Sequence, residues 1–269
     1  MPSRDVPRAR REVMGGLAKG LQVLRALGRD ARGSSLSEVA NAVKLPAATA
    51  RRCLLTLEEL GYVTRAGRAF VLRPKVLELG AAYLEAMNVE TLTKTHLEDL
   101  AHQTGDSAAL SVLDGVDIVY IARASARTLL RLEAHVGSRF PAYPTSMGRV
   151  LLAGLSPAGL RTYFAGARLE PLTEHTVTQR TKLVQRILDC RRAGYAAVQD
   201  ELAYGVVAVA VPVFDELGRV VAALNSSSHS KKISRAELVR DRVALLQGIS
   251  GHISAELRRV PGLSLSAQR

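Results

Sequence analysis

The chain has 269 residues, 47% of them hydrophobic, and a net charge of +12. That length and apolar content support two cores rather than one and exclude a chain disordered throughout. No run approaches the ~18 consecutive apolar residues of a membrane span, and the N-terminal stretch MPSRDVPRARREV has no apolar signal core, so the sequence predicts a cytoplasmic protein with no membrane span.

The charge is local. Residues 1–75 hold a balance of +9, which leaves only +3 for the remaining 194 residues. A polyanionic partner for the N-terminal quarter follows, and by charge alone DNA, RNA and an anionic membrane surface all qualify. Arg8, Arg10 and Arg11 form a flexible basic arm within residues 1–14. In GLAKGLQVLRALG, Leu17, Leu21, Leu24 and Gly28 share one helical face. SLSEVANAV opens with Ser35 three residues before Glu38, the capping box of a helix start. After the turn containing Lys44, Pro46 suits the first position of a third helix, where its missing N–H costs nothing.

The third helix carries an apolar stripe of Ala47, Ala50, Leu54 and Leu57, leaving Thr49, Arg52 and Thr56 opposite and Arg51 at the flank. Its cations stand at the positive end of the helix dipole, an arrangement that costs ~0.3–1 kcal/mol each. YVTRAGRAFVLRP then reads as two strands around the turn Ala66-Gly67, closed by Pro74. Three helices and a hairpin make a winged helix-turn-helix over residues 15–74, with the start of the third helix in the DNA major groove. There the misplaced cations meet phosphates and base edges, and counterion release outweighs the dipole cost. Lys44, Thr49, Arg51, Arg52 and Thr56 are the candidate DNA contacts of that helix and its turn, with Arg65 and Arg68 reaching sugar-phosphate from the wing.

Residues 75–88 follow as a linker helix, with Val76, Leu77, Gly80, Tyr83, Leu84 and Met87 at helical spacing. Its apolar face needs a partner, best supplied by a second subunit because readers of this type present paired recognition helices to adjacent half-sites. Residues 89–260 make a second domain of mixed α/β character, followed by a tail at 261–269. A helix to Gln103 leads into two strands around Asp114-Gly115 and a third at LLRLEAHVG. TSMGRVLLAGL forms a helix capped by Thr145 or Ser146, and a longer helix runs from Thr178 to Arg192 and stops at Gly194. Strands follow at YAAVQ, VVAVAVPVF and RVVAALNSSS, then a last helix with the capping box Ser234 to Glu237.

Little here suggests catalysis. Cys53 and Cys190 sit in apolar helical patterns as small core residues. The six histidines show no metal-ligand spacing, so no metal and no cofactor are expected. No nucleophile elbow or phosphate-cradling glycine loop is present. The alternative to a transcription factor is a small-molecule enzyme with an appended nucleic-acid module.

Taken in order, LSEVANAVKLPAATARRCLLTLEELGYV, LRPKVLELGAAYL, SVLDGVDIVYIAR, TSMGRVLLAGL and AVAVPVFDELGRVVAALNSSS resemble the IclR family of bacterial transcriptional regulators. Within it they are most similar to the branch that controls catabolism of aromatic acids such as protocatechuate and 4-hydroxybenzoate. The resemblance implies an α+β chain: an N-terminal winged helix-turn-helix on double-stranded operator DNA, then a GAF-like α/β domain that binds a small organic acid. It also implies a homodimer or tetramer, and an effector pocket at Ser146, Met147, Gly148, Ala208, Asn225 and Ser227. The N-terminus of the TSMGR helix supports this independently, since its unpaired N–H groups and positive dipole end favour an anion. Arg149, one turn in, is open between pocket and solvent. Where the branch reads GLRSIAVPV this chain has GVVAVAVPV, so an arginine becomes Val207 and a serine Ala208, which removes a cation and a hydroxyl near the ligand region and allows an effector that is larger, less polar or different in kind from a simple aromatic acid.

Overall fold

The computed structural model describes residues 13–28, 32–86, 88–125 and 134–259. The basic arm expected at Arg8, Arg10 and Arg11 and the tail at 261–269 lie outside the described residues. The chain divides into two compact units, Met1–Ala81 and Ala82–Arg269.

The first unit contains α1 (Gly15–Leu27), β1 (Ser34–Ser35), α2 (Leu36–Ala42), α3 (Ala47–Glu59), β2 (Val63–Ala66) and β3 (Ala69–Leu72). The capping box at the start of α2 is formed: the Glu38 N–H donates to Ser35 Oγ at 3.3 Å and the Ser35 N–H to Glu38 Oε2 at 2.7 Å. Pro46 precedes α3 as its N-cap rather than serving as its first residue, and Ala47 is exposed. Val23, Leu24 and Leu27 pack with Val39, Leu54, Leu57, Val63 and Phe70. Leu54 is fully buried, and truncating it to Ala costs ~2–5 kcal/mol.

Three details differ from expectation. Leu17 and Leu21 are 61% and 49% exposed, because only the C-terminal half of α1 reaches this core. The hairpin turn is Gly67-Arg68, closed by the pair Ala66↔Ala69, with Gly67 at φ +63°. The hairpin also gains a third strand, β1, antiparallel to β3. Gly33 permits that approach, since a Cβ there would lie 2.6 Å from the Phe70 carbonyl oxygen.

A 3-10 turn at Pro74–Val76 leads into α4 (Leu77–Ala86), and the division between the units falls inside this helix. Leu77 and Tyr83 on it are 74% and 41% exposed; Met87 lies outside the described residues.

The second unit runs α5 (Val89–Thr104), β4 (Ser107–Asp114), β5 (Asp117–Ser125), β6 (Arg139–Pro141), α6 (Ser146–Gly154), α7 (Pro157–Gly166), α8 (Arg180–Ala193), β7 (Ala196–Gln199), β8 (Val206–Phe214), β9 (Val220–His229) and α9 (Arg235–Arg259). Left-handed glycines end α5 at Gly105 and α8 at Gly194. The strands form one antiparallel sheet in the order β6-β5-β4-β9-β8-β7. Of the expected strand LLRLEAHVG, residues 129–133 lie outside the described residues; Val136 and Gly137 form a turn, and the strand beside β5 is β6. The sequence reading also missed α7, which is capped by Ser156 and opened by Pro157.

Each face of the sheet carries helices. On one, Leu97 and Leu100 of α5 and Leu238 and Leu246 of α9 pack against Val207, Val209, Val211 and Leu224. On the other, Met147 and Leu151 of α6 and Leu183 and Ile187 of α8 pack against Ala109, Ala210 and Ala223. On β4, β8 and β9 the residues of this second face, Ala109, Ala210 and Ala223, are small, which lets α6 lie close to the sheet.

Candidate DNA-binding and effector sites

In the first unit, α3 presents Arg51 and Arg52 to solvent in its first turns, with no acidic residue among them. Lys44, exposed and at φ +53°, precedes them in the turn. Neither arginine is in an ion pair among the described residues, so both are free to meet a polyanion. Thr49 is half-buried. Thr56 Oγ1 donates to the Arg52 carbonyl at 3.0 Å, which turns its hydroxyl back onto its own helix.

The wing arginines differ in what they are committed to. Arg65 donates through Nε and Nη2 to Glu58 Oε2, both at 3.1 Å, and lies over the Phe70 ring at 5.3 Å. It therefore ties the hairpin to α3. Arg68, exposed at the hairpin tip, has no such tie among the described residues. Beside α3, Leu17 and Leu21 of α1 line an apolar groove of 480 Å3 together with Leu60 and Leu79, with Thr49 and Arg52 also on its wall.

In the second unit, the six residues expected around an effector occupy the α6 face of the sheet or the start of α6. Asn225 is opposite Ala109 on β4 and Ala210 on β8, both of which pack under α6. Ser227 is opposite Ser107 and Ala208 in the next row of that face, and its Oγ donates to the Ser107 carbonyl at 3.4 Å. Asn225 is 3% exposed, and its Oδ1 is buried with no hydrogen-bond partner among the described residues. A buried acceptor without a donor is costly, ~1–3 kcal/mol, and suits a site whose donor arrives with a ligand.

At the start of α6, Thr145 is the N-cap: its Oγ1 accepts from the Gly148 N–H at 2.9 Å and donates to the Ala142 carbonyl at 3.1 Å. The Ser146 and Met147 N–H groups find no acceptor among the described residues. Ser146 and Met147 are both buried, and Met147 joins the cluster over Ala109 and Ala210. Gly148 has a packing role of its own. A Cβ there would lie 2.0 Å from the Ala142 carbonyl oxygen, so no side chain fits.

Arg149 settles the alternative left open by the sequence in neither expected way. It is 4% exposed and paired inside the protein, donating from Nη2 to Glu201 Oε2 at 2.5 Å and from Nε to the Tyr143 carbonyl at 3.2 Å. The expectation at Val207 needs correction. Its side chain is fully buried in the cluster under α5 and α9, on the face opposite Ala208, so a valine there takes no cation from the α6 face. Of Val207 and Ala208, alternation along β8 sends Ala208 to the face of the candidate site.

Sequence reasoning missed Arg123. It lies on β5 opposite Ala109, in the row that contains Asn225, and its Nη2 is 3.5 Å from Ser107 Oγ. The available signal was one cation inside the apolar run VYIARA. Nearby, burial pushes the Tyr120 hydroxyl up to about 12, against the opposing effect of Arg123, so it stays neutral. Burial likewise pushes the Cys190 thiol up to about 12, in keeping with a core residue. Among the described residues no group of histidine, cysteine or carboxylate side chains is arranged to hold a metal.

Residues 16–67 match the family model for the IclR helix-turn-helix domain, and residues 81–255 the model for the C-terminal domain of the bacterial transcriptional regulator IclR. The chain is 37% identical to the Pca regulon regulatory protein of Pseudomonas putida over 247 residues, 91% of this chain and 85% of that one. It is 30% identical to the p-hydroxybenzoate hydroxylase transcriptional activator of Acinetobacter baylyi, over 90% of this chain and 91% of that one. A crystal structure from Rhodococcus sp. RHA1 superposes with a TM-score of 0.79 at 40% identity, covering 91% of this chain and 98% of that one.

Proposed function

The chain belongs to the IclR family of bacterial transcriptional regulators, and from that premise we propose how its two units divide the work. Family membership makes it a DNA-binding regulator with an effector domain rather than an enzyme. Our reading assigns residues 15–74 to DNA, 75–88 to the linker helix and 89–260 to the effector, in a protein that acts in the cytoplasm. No described helix is long and apolar enough to cross a membrane.

On operator DNA, Arg51, Arg52, Lys44 and Thr49 of the α3 region approach the major groove and Arg68 the sugar-phosphate backbone. Arg65 acts mainly by holding the wing. The regulator works as a homodimer or a pair of dimers. Leu17, Leu21, Leu60 and Leu79, exposed around one groove, favour a second copy as its cover.

The effector is a small aromatic acid seated at the N-terminal end of α6, on the face of the sheet that carries Asn225 and Ser227. Its acceptor atoms meet the Ser146 and Met147 N–H groups, Met147 supplies an adaptable apolar contact, and Asn225 and Ser227 stand opposite beside the small side chain of Ala208. Because Asn225 Oδ1 accepts, the ligand's other end carries a donor such as a ring hydroxyl. The observation that carries this reading is the buried, unpartnered Asn225 Oδ1 on the face that α6 covers. The regulators named after the Pca regulon and p-hydroxybenzoate hydroxylase direct the choice among acids.

Thermal denaturation with benzoate, 4-hydroxybenzoate and 3,4-dihydroxybenzoate tests it. A true effector at ~100 times its Kd stabilises the protein by ~2.7 kcal/mol, and Ser146→Leu removes that gain. Stabilisation that survives Ser146→Leu places the ligand elsewhere.

A further inference from the structure

We infer that Arg123 is the counter-ion of the effector, the residue that makes the site select an ionised carboxylate over a neutral acceptor. The inference rests on the reading of the α6 face as the effector site and adds the origin of its charge selectivity.

The strand pattern determines where Arg123 lies. Val119, Ala122 and Ala124 of β5 pack against the cluster under α5 and α9. Arg123 alternates with its neighbours onto the other face, where its register partner Ala109 belongs to the α6 cluster. Beyond Ala109 comes Asn225, so Arg123 and Asn225 stand two strand spacings apart, roughly 10 Å, with only a methyl group between them on the floor. That gap suits one planar ring with a polar group at each end.

The arginine is half-buried and held in place from two sides. Its Nη1 donates to the Ala134 carbonyl and its Nη2 approaches Ser107 Oγ, while Ser107 Oγ also lies 3.1 Å from Ser125 Oγ. These partners are all neutral. A guanidinium has five N–H donors, so this anchoring leaves donors and the whole charge uncommitted among the described residues. Arg149 on α6 is already neutralised by Glu201, and Arg191 donates to the Ala153 and Leu155 carbonyls at the C-terminal end of that helix. The α6 N–H groups bring partial charge only. In the row of Ala109 and Asn225, Arg123 therefore brings the full positive charge among the described residues, and a guanidinium with free donors matches a carboxylate better than a neutral amide.

The experiment is calorimetric titration of the full chain with 4-hydroxybenzoate and with 4-hydroxybenzamide, the same shape without the charge. The wild type is expected to bind the acid about 10- to 100-fold more tightly than the amide, the value of a charge-assisted hydrogen bond. Arg123→Gln is expected to bring the two within about threefold by weakening the acid alone, and Arg123→Lys, which keeps the charge, to restore most of the preference. An acid preference that persists in Arg123→Gln overturns the assignment to Arg123 and leaves the effector site standing. Loss of the preference in a folded Arg123→Lys overturns it too, because charge is then not the cause. If the wild type binds neither compound, the reading of the site fails and this inference fails with it.

Discussion

Ser226 donates a hydrogen bond to Asp106 Oδ2 at 3.1 Å from the face of β9 opposite Asn225 and Ser227. Asp106 is 1% exposed and also accepts from Arg242 Nε at 2.9 Å, with Lys232 Nζ 3.5 Å from its other oxygen. One strand thus lines the candidate effector site on one side and grips the end of α5 and the middle of α9 on the other. Asp106→Ala leaves the Ser226 hydroxyl and the Nε of the largely buried Arg242 without their acceptor, and is expected to cost ~1–3 kcal/mol. Urea unfolding of the variant checks this; a loss below ~0.5 kcal/mol, ordinary for a surface change, contradicts it.

Asp215 predicts a pH dependence. Burial pushes its carboxyl up, but the Arg219 and Leu217 N–H groups, at 2.8 and 2.9 Å, and the Arg219 guanidinium outweigh that and hold it below the usual carboxylate range. A depressed folded-state pKa gives stability that is present above the unfolded value of ~3.9 and lost as pH falls through the folded value. Wild type should exceed Asp215→Asn in stability at pH 7, with the difference shrinking below about pH 4. A gap that stays constant down to pH 2 would assign the role of Asp215 to something other than its charge.

Arg52 and Arg65 are expected to behave differently although both are exposed arginines. Arg52→Ala weakens operator binding without unfolding the domain, by ~1–3 kcal/mol at one base pair if it reads a guanine, or evenly with a salt slope smaller by about one if it touches phosphate. Arg65→Ala acts first on the fold by freeing Glu58 and the wing. An exposed pair of this kind contributes ~0–1 kcal/mol. Anisotropy titrations over a salt series separate the two residues, and equal salt slopes for wild type and Arg52→Ala with equal affinities remove Arg52 from the interface.

The apolar groove of the first unit predicts an oligomer. Leu21→Glu puts a charge among Leu17, Leu60 and Leu79. Sedimentation should show a shift of the variant toward monomer at micromolar concentration, and weaker operator binding because paired half-sites are lost. A wild type that is monomeric both free and on DNA rules out a second copy as the cover.

Local signals made much of this architecture legible. The capping boxes at Ser35 and Ser234, the glycines after α5 and α8 and the alternating strands β4, β5, β8 and β9 each act within a few residues. What sequence could not supply was tertiary. Which half of α1 meets the core depends on where α3 lies, so Leu17 and Leu21 read as buried. Helices cover both faces of the sheet, which makes both parities of β8 and β5 apolar. With both parities apolar, nothing local showed that Val207 faces away from the ligand region or that Arg123 faces the α6 side. The Arg65 tie to Glu58 and the Arg149 pair with Glu201 join residues 7 and 52 positions apart, beyond any local pattern.

On our reading one molecule reads DNA with α3 and is tuned by an acid held at the start of α6. Fluorescence anisotropy with the promoter DNA beside its own gene, set against a scrambled duplex and repeated with saturating 4-hydroxybenzoate, tests both halves at once. Binding to the promoter is expected to be at least ~1000-fold tighter than to the scrambled duplex and changed ~5-fold or more by the acid, with the change lost in Ser146→Leu while ligand-free affinity is kept. Equal affinity for both duplexes, or a full response to the acid in Ser146→Leu, contradicts it.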